Sequence, residues 1–368
     1  VKIAVINWRD PWHPAAGGAE AYAWEMAGRL ARSGHSVWFV TARAPGQRRR
    51  AEREGVRIAR MGGPYTVYPR VLAWLLGRRQ AFDVVLDCQN GIPFFTPWVL
   101  PRRTGIFCVV HHVHDRQFDV HLPRWLAAVG RFLEGPASRW TYRRHQSVAV
   151  SPSTVHAMRE RLGWTGPIHI VPNGVTVTTV PREPRSAAPR LVCVGRLVAH
   201  KRVGLLLDAV PELRERWPGL TVDVIGRGPE EARLRAGLPE GVTMHGYLPD
   251  EDKESLIASA WLQVSASQGE GWGLCVLEAA ALGVPTVAFD VDGLRDAVRH
   301  GETGWLVPEG ADLGKGIAAA LDEVEGAAAE AYGERCRAWA AGFSWDRSAE
   351  RMEALIEGRH LEPGWEGP

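Results

Sequence analysis

Ser265 to Phe289 reads SASQGEGWGLCVLEAAALGVPTVAF, and this stretch decides the fold because a glycine turn, a helix and a following strand succeed one another without interruption. Glu270 lies in the turn Gly269-Glu270-Gly271-Trp272-Gly273, where glycines permit positive φ and a close approach of backbone to a ligand. From Leu274 the run LCVLEAAAL is apolar nearly all round and rich in helix formers, with Gly283 as its stop. The spacing predicts a buried helix whose free N–H groups and positive dipole end point into the turn, a seat for phosphate or another anion. Glu278 follows Gly273 by five residues, roughly 7.5 Å along the axis at about 1.5 Å per residue. A carboxylate in an apolar run needs a polar partner, because an unpaired buried charge is costly. That partner is either a ligand or a structural arginine.

Outward from this unit, 368 residues exceed one ordinary core and predict two domains. The N-terminal VKIAVIN reads as a first strand rather than a signal peptide, and the chain has no run of about 18 apolar residues, so no membrane span is expected. Cys88, Cys108, Cys193, Cys275 and Cys336 lack paired spacing. They are expected to be buried thiols in a reducing cytoplasm, neither a disulfide framework nor a zinc site. The net charge of +2 conceals an asymmetry: residues 1–180 hold 24 Lys and Arg against 11 Asp and Glu, a charge of +13, and the remainder carries −11. A basic first half suits an anionic partner, whether a charged acceptor, a nucleic acid or a membrane surface; it also suits solubility alone.

Along the first half, strand Lys2–Ile6 leads through a loop containing Trp8, Trp12 and His13 to Gly17-Gly18-Ala19-Glu20, which opens a helix ending near Gly34. Glycines before a helix make a second anion seat or simply allow close packing. Arg48, Arg49 and Arg50 are expected on an exposed loop. Strands follow at 83–87 and 105–110, the second ending in His111-His112-Val113-His114-Asp115. Ligands of open α/β sheets bind beyond the carboxyl ends of strands. The three histidines lack the i,i+4 spacing of a helical zinc pair, so no metal site is expected. Between Leu122 and His145 cations alternate with aromatics. The composition fits a membrane interface, but the expected reading is aromatics toward the core and arginines toward water. Prolines and alanines from Pro181 to Pro189 mark a linker.

A second strand and helix alternation runs from Leu191 to Phe289, so each half is expected to build a parallel sheet with right-handed crossovers, the two facing one another across a cleft. After the first strand of this half stand Gly195-Arg196 and, five residues on, Lys201. Two cations beyond a parallel strand, with a helix N-terminus nearby, suit a diphosphate. No Asp-x-Asp pair is placed to hold a divalent ion, so protein cations would carry the leaving-group charge.

Taken together, these stretches resemble the retaining glycosyltransferases of family four. The matching residues are Gly17-Gly18-Ala19-Glu20, His111, Val171-Pro172-Asn173-Gly174-Val175, Gly195-Arg196 with Lys201, Gly226-Arg227-Gly228-Pro229, Glu270 to Glu278, His300 to Val307, and Phe343-Ser344-Trp345-Asp346. The resemblance spans almost the whole chain, and the order and spacing of its motifs are its specific part. It implies the α/β GT-B fold, two Rossmann-like domains with a donor and acceptor cleft. Residues 1–180 would bind the acceptor, 181–345 the nucleotide sugar, and 346–368 would form a helix crossing back toward the first domain.

The resemblance also implies roles. Arg196 and Lys201 would grip the donor diphosphate, Glu270 the donor sugar and Glu278 the ribose hydroxyls. Backbone around Gly271, Trp272, Gly273 and Leu274 would meet phosphate or sugar oxygens, with Gly18 approaching from the first domain. Arg227, Tyr247 and Leu248 would complete the donor site. His111 would stand beside the anomeric carbon, and with Glu270 is the residue assigned to catalysis. Trp8, Trp12, His13, His114 and Asn173 are the acceptor candidates. No metal or other cofactor is implied. The partners are a nucleotide-sugar donor and a hydroxyl acceptor, whether sugar, glycolipid or small aglycone, with no nucleic acid. The protein would be cytoplasmic, with peripheral contact at an anionic inner membrane face left open. Two departures stand out: Val175-Thr176 follows Asn173-Gly174 where the family usually continues with aspartate, and Ser265-Ala266-Ser267 stands where Pro-Ser is common. Alternatives on the same fold are a nucleotide-sugar-binding protein without turnover, or an epimerase or phosphorylase.

Overall fold

The computed structural model describes residues 1–115, 118, 123–176, 184–326 and 328–359. It divides into two compact units, Val1–Gly174 with the C-terminal stretch from Trp345, and Val175–Ser344. The expected linker begins outside the described residues. Its far end is docked on the second unit, where the Arg185 guanidinium lies 4.0 Å over the Trp261 ring and donates to Val324 O at 2.7 Å.

Among the described residues the first unit carries eight strands: β1 (Lys2–Ile6), β2 (Ser36–Thr41), β3 (Arg50–Arg53), β4 (Val56–Arg60), β5 (Val84–Asn90), β6 (Gly105–His112), β7 (Gln146–Ala149) and β8 (Ile168–Ile170). They lie in the order β3-β4-β2-β1-β5-β6-β7-β8, all neighbours parallel except the β3–β4 hairpin. That hairpin corrects the reading of Arg50 as loop, while Arg48 and Arg49 lie in loop as expected. Arg50 opens β3, and the Glu54-Gly55 turn has φ of 51° and 77°, the mirror-image geometry that matches strand twist in a tight hairpin. The three arginines are exposed, as expected.

The second unit carries β9 (Arg190–Val194), β10 (Thr221–Ile225), β11 (Val242–Gly246), β12 (Leu262–Ser265), β13 (Thr286–Phe289) and β14 (Gly304–Val307). The order is β11-β10-β9-β12-β13-β14, parallel throughout. This is the doubly wound arrangement, with its topological switch between β9 and β12. Period-two alternation feeds two cores: Leu191 and Cys193 of β9 join Val222 and Val224 on one face, while Val192 joins Ile225, Ile257 and Ala279 on the other. A parallel sheet covered on both faces needs such uninterrupted apolar strands.

Two expectations fail in the first unit. His111 lies inside β6, which continues to His112. In the helix Arg124–Phe132 the buried residues are Ala127 and Gly130, whereas Trp125 and Phe132 are exposed, as is Trp140 beyond it. Trp125, Phe132 and Trp140 therefore do not face the core, whereas Tyr142 does, as expected. Space decides this: a Cβ on Gly130 would lie 3.0 Å from the Phe118 ring, so only the small face of the helix fits inward.

Candidate functional site

In the second unit the loops at the switch point are built on glycine. A Cβ at Gly226 would lie 1.8 Å from Gly195 O, and one at Gly228 would lie 2.2 Å from Leu197 O. The loops after β9 and β10 thus cross backbone on backbone, tied by Leu197 N–H to Arg227 O at 2.9 Å. This crossing leaves the Arg196 and Arg227 side chains exposed. Gly226 N–H donates to Gly246 O at 2.7 Å, which joins the end of β11 to the same group. Tyr247 there is exposed and Leu248 half-buried.

Lys201 Nζ donates to Glu270 Oε1 across the two loops that flank the switch. Their side chains are 17% and 16% exposed, so the pair is sheltered yet reachable from water. Burial alone would raise the Glu270 carboxyl and lower the Lys201 ammonium; the mutual attraction overrides it, holding Glu270 below and Lys201 above their ordinary values. A hydrogen bond from Ser267 adds to the effect on Glu270. The Glu270 turn is fixed from behind, since its N–H donates to Asp292 O at 2.9 Å and a Cβ on Gly293 would lie 2.3 Å from Glu270 O.

Gly273, with φ 84°, is the N-cap of the helix Leu274–Ala281, shorter than its apolar run suggests. The first helical N–H groups have no carbonyl partner within the helix, and they follow half-buried Gly271. Trp272 is buried, its ring edge-on to Phe343 at 5.1 Å. Only its backbone is therefore suited to a ligand. Glu278 shares the Leu274 face one turn on and is 36% exposed, which corrects the expectation of a fully buried carboxylate. Its partner is Lys253 at 3.6 Å, not an arginine, and Lys253 also bonds Asp250 at 3.0 Å. Partial burial still raises the Glu278 carboxyl, with Lys253 opposing. Lys253 was not singled out in the sequence. The signal was a lone cation in the acidic run Asp250-Glu251-Asp252-Lys253-Glu254, hidden by 25 residues of separation.

In the first unit His111 is 5% exposed and its Nε2 has no hydrogen-bond partner. Burial, with a smaller push from His114, lowers it to about 3, so the imidazole is neutral at pH 7. The Tyr22 ring stands edge-on to it at 5.0 Å, and Tyr22 Oη donates to Val171 O at 3.2 Å. Tyr22, which the sequence did not flag, thereby links the end of β6 to the segment of Asn173, whose own Oδ1 is buried without a partner. His114 Nδ1 lies 3.0 Å from His112 O, and the His114 N–H donates to buried Glu134 at 2.6 Å. The His112 and His114 rings meet edge-on at 5.1 Å, and no group of three potential metal ligands occurs among the described residues.

The remaining first-unit candidates sit in a loop that satisfies itself. Trp8 Nε1 donates to Pro64 O at 2.8 Å. Trp12 packs edge-on to Trp24 at 4.7 Å beneath the Arg53 guanidinium. His13 Nδ1 accepts from Ala15 N–H at 3.1 Å, and burial, then Arg9, lowers its basicity. Gly18 is the exposed first residue of its helix, but the anion seat there is partly filled: Glu20 Oε2 accepts from Gly17 N–H at 2.8 Å.

Two family models match the chain in tandem, "Glycosyltransferase Family 4" over residues 16–179 and "Glycosyl transferases group 1" over residues 188–324. The chain belongs to glycosyltransferase family 4. It is 30% identical over 263 residues to the phosphatidyl-myo-inositol mannosyltransferase of Mycobacterium leprae, covering 69% of this chain and 67% of that protein. It is 27% identical over 380 residues, 94% of this chain and 96% of the relative, to a GDP-mannose-dependent alpha-(1-6)-phosphatidylinositol monomannoside mannosyltransferase of Mycolicibacterium smegmatis. Among solved structures, sucrose-phosphate synthase from Thermosynechococcus elongatus aligns with a TM-score of 0.81 at 20% identity, covering 97% of this chain and 98% of that one. The fold of this family member is GT-B, and its activity is glycosyl transfer.

Proposed function

We propose that the protein moves a sugar from a nucleoside-diphosphate sugar to an acceptor hydroxyl with retention of anomeric configuration. The observation that carries this reading is the Lys201–Glu270 pair at the switch point of the second sheet, beside exposed Arg196 and the open first turn of Leu274–Ala281. A diphosphate sugar answers both members of the pair. Its phosphates compete with Glu270 for Lys201, and its hydroxyls donate to the carboxylate thus released. Glu278 then accepts from the ribose hydroxyls, and Arg227 and the Tyr247–Leu248 backbone border the base.

In the step itself the acceptor oxygen bonds to the anomeric carbon on the face from which the diphosphate departs. The carbon–oxygen bond to phosphate breaks, its electron pair goes to the diphosphate, and the acceptor proton passes to a departing phosphate oxygen. Arg196, Lys201 and the helix amides stabilise that growing charge, so the leaving group is served by protein cations. In the first unit the neutral imidazole of His111, with Nε2 unpaired, serves as a hydrogen-bonding partner for a sugar hydroxyl.

The acceptor is proposed to be a hydroxyl compound met at an anionic surface, which the +13 charge of residues 1–180 supports. UDP-glucose, UDP-N-acetylglucosamine and GDP-mannose, each followed for nucleoside diphosphate release and for the anomeric configuration of the product, test the reading. One donor should be consumed with its configuration kept. Donor binding with no release under any condition would instead indicate a sugar-nucleotide-binding protein, and an inverted product would remove the retaining mechanism.

A further inference from the structure

We infer that the helical run from Arg124 to Tyr142 is a docking face for an anionic lipid bilayer, which rests on the reading of an acceptor met at an anionic surface and names where the contact is made. Trp125, Val129 and Phe132 lie at i, i+4 and i+7 of the helix Arg124–Phe132, and all three are exposed, Trp125 by 69% and Phe132 by 59%. The stripe continues through exposed Pro136 to Trp140, 62% exposed on the helix Ser138–Tyr142. A helix of a water-facing surface puts its large apolar residues inward and its small or polar ones outward. Here the order is reversed, with Ala127 and Gly130 inside. Isolated exposed apolar residues need no explanation, but an aromatic stripe along about four turns marks an interaction surface.

Charge selects the occupant. Residues 123–145 hold Arg124, Arg131, Arg139, Arg143 and Arg144 against a single acid, Glu134, and Glu134 is fully buried, where it accepts the His114 N–H. The exposed charge of residues 123–145 is therefore wholly positive. Tryptophan and phenylalanine rimmed by arginine suit the boundary between anionic headgroups and acyl chains. The Arg143 guanidinium lies 4.9 Å over the Trp140 ring, so that ring and cation would enter the boundary together. Because Glu134 ties the run to the residue two positions beyond β6, the face adjoins the strand that carries His111.

Flotation of the full chain tests this with vesicles of phosphatidylcholine alone and of equimolar phosphatidylglycerol and phosphatidylcholine. At low salt the protein should rise with the anionic vesicles only. Trp125→Ser with Phe132→Ser should lower the bound fraction about tenfold or more, and Arg143→Gln with Arg144→Gln about fivefold per charge removed, with thermal melting unchanged because all four side chains are exposed. A wild type that stays at the bottom with anionic vesicles, or a Trp125→Ser, Phe132→Ser protein that floats like the wild type, overturns the inference. So does a dimer in sedimentation that the same double substitution dissolves, which would make the face a contact between copies. Donor turnover in vesicle-free buffer reads the transfer reaction separately: turnover without flotation removes the docking face alone, and flotation without turnover removes the transferase reading alone.

Discussion

The switch points of the two sheets use their charges in opposite ways. In the first unit, Asp10 is fully buried in the loop after β1, accepting from Trp12 N–H and Gln47 Nε2 at 3.1 Å each and from Arg60. Asp87 in β5 accepts from the backbone N–H groups of Phe94 and Thr96 and from the hydroxyls of Thr96 and Tyr142. These carboxylates are committed to holding the loops. In the second unit the glycine crossings hold the loops together with the Arg202 guanidinium, which donates to Ala266 O at 2.8 Å and Ser267 O at 3.0 Å, while Arg196, Lys201 and Glu270 remain within reach of solvent. A charge pair at a sheltered but wet position is exchangeable, whereas a fully buried one is structural. The buried polar atoms of the first unit without a partner include His111 Nε2 and Asn173 Oδ1, and such an atom points to a missing ligand or water.

Substitutions that disturb this contrast should differ in size. The largest effect is expected from Gly226→Ala. Its Cβ meets Gly195 O at a φ of 142°, so the loop crossing must open, at about 3 kcal/mol or more. Chemical denaturation should show the loss, and a variant as stable as wild type would mean that the crossing adjusts freely. Next, Lys201→Ala should weaken nucleoside diphosphate binding by about 10- to 100-fold, a charge-assisted contact of about 1.5–3 kcal/mol, measured by titration calorimetry. Unchanged affinity there would leave Arg196 as the sole phosphate cation.

A smaller effect is expected from Lys253→Met. Glu278 is already raised by burial and would rise further without its lysine, so the donor KM should increase about two- to fivefold at pH 7, as befits a partly exposed pair, and more at acidic pH as the carboxylate protonates. A flat KM would make Lys253 irrelevant to the site. The effect that is smallest at neutral pH concerns stability, because it develops only on acidification. The folded-state value of His111, about 3, lies below its ordinary value, so the unfolded chain binds a proton that the folded one refuses. Stability must then fall as pH drops from about 6.5 toward 3. His111→Asn should flatten that slope in urea melts at successive pH values; an unaltered slope would place the titration elsewhere.

Much of the fold was legible because parallel strands covered on both faces write themselves as short apolar runs: Lys2–Ile6 was read to the residue. The β3–β4 hairpin was not, because Arg50-Ala51-Glu52-Arg53 has the polarity of an edge strand and its turn signal, Glu54-Gly55, lacks the usual Asn or Asp. Within the site, residues near in sequence were legible, including Gly273 as a helix cap and Glu270 in its turn. Long-range partners such as Lys253 for Glu278 and Tyr22 for His111 were not, since the sheet order that joins them is not encoded in any local pattern. The segment after β6 misled because alternation of arginine and aromatic fits either face outward. Only the space left by Phe118 against Gly130 decides it.

The exchangeable pair is the centre of this account, and Glu270→Gln examines it most directly. Calorimetry with free UDP and GDP, run beside turnover of the accepted nucleotide sugar, separates the two functions of Lys201. With its carboxylate neutralised, Lys201 is freed for phosphate, so nucleoside diphosphate affinity should hold or rise while turnover falls about 100-fold. A loss of nucleoside diphosphate affinity equal to the loss of turnover would contradict the account, making the pair a fixed structural bond that donor binding never opens.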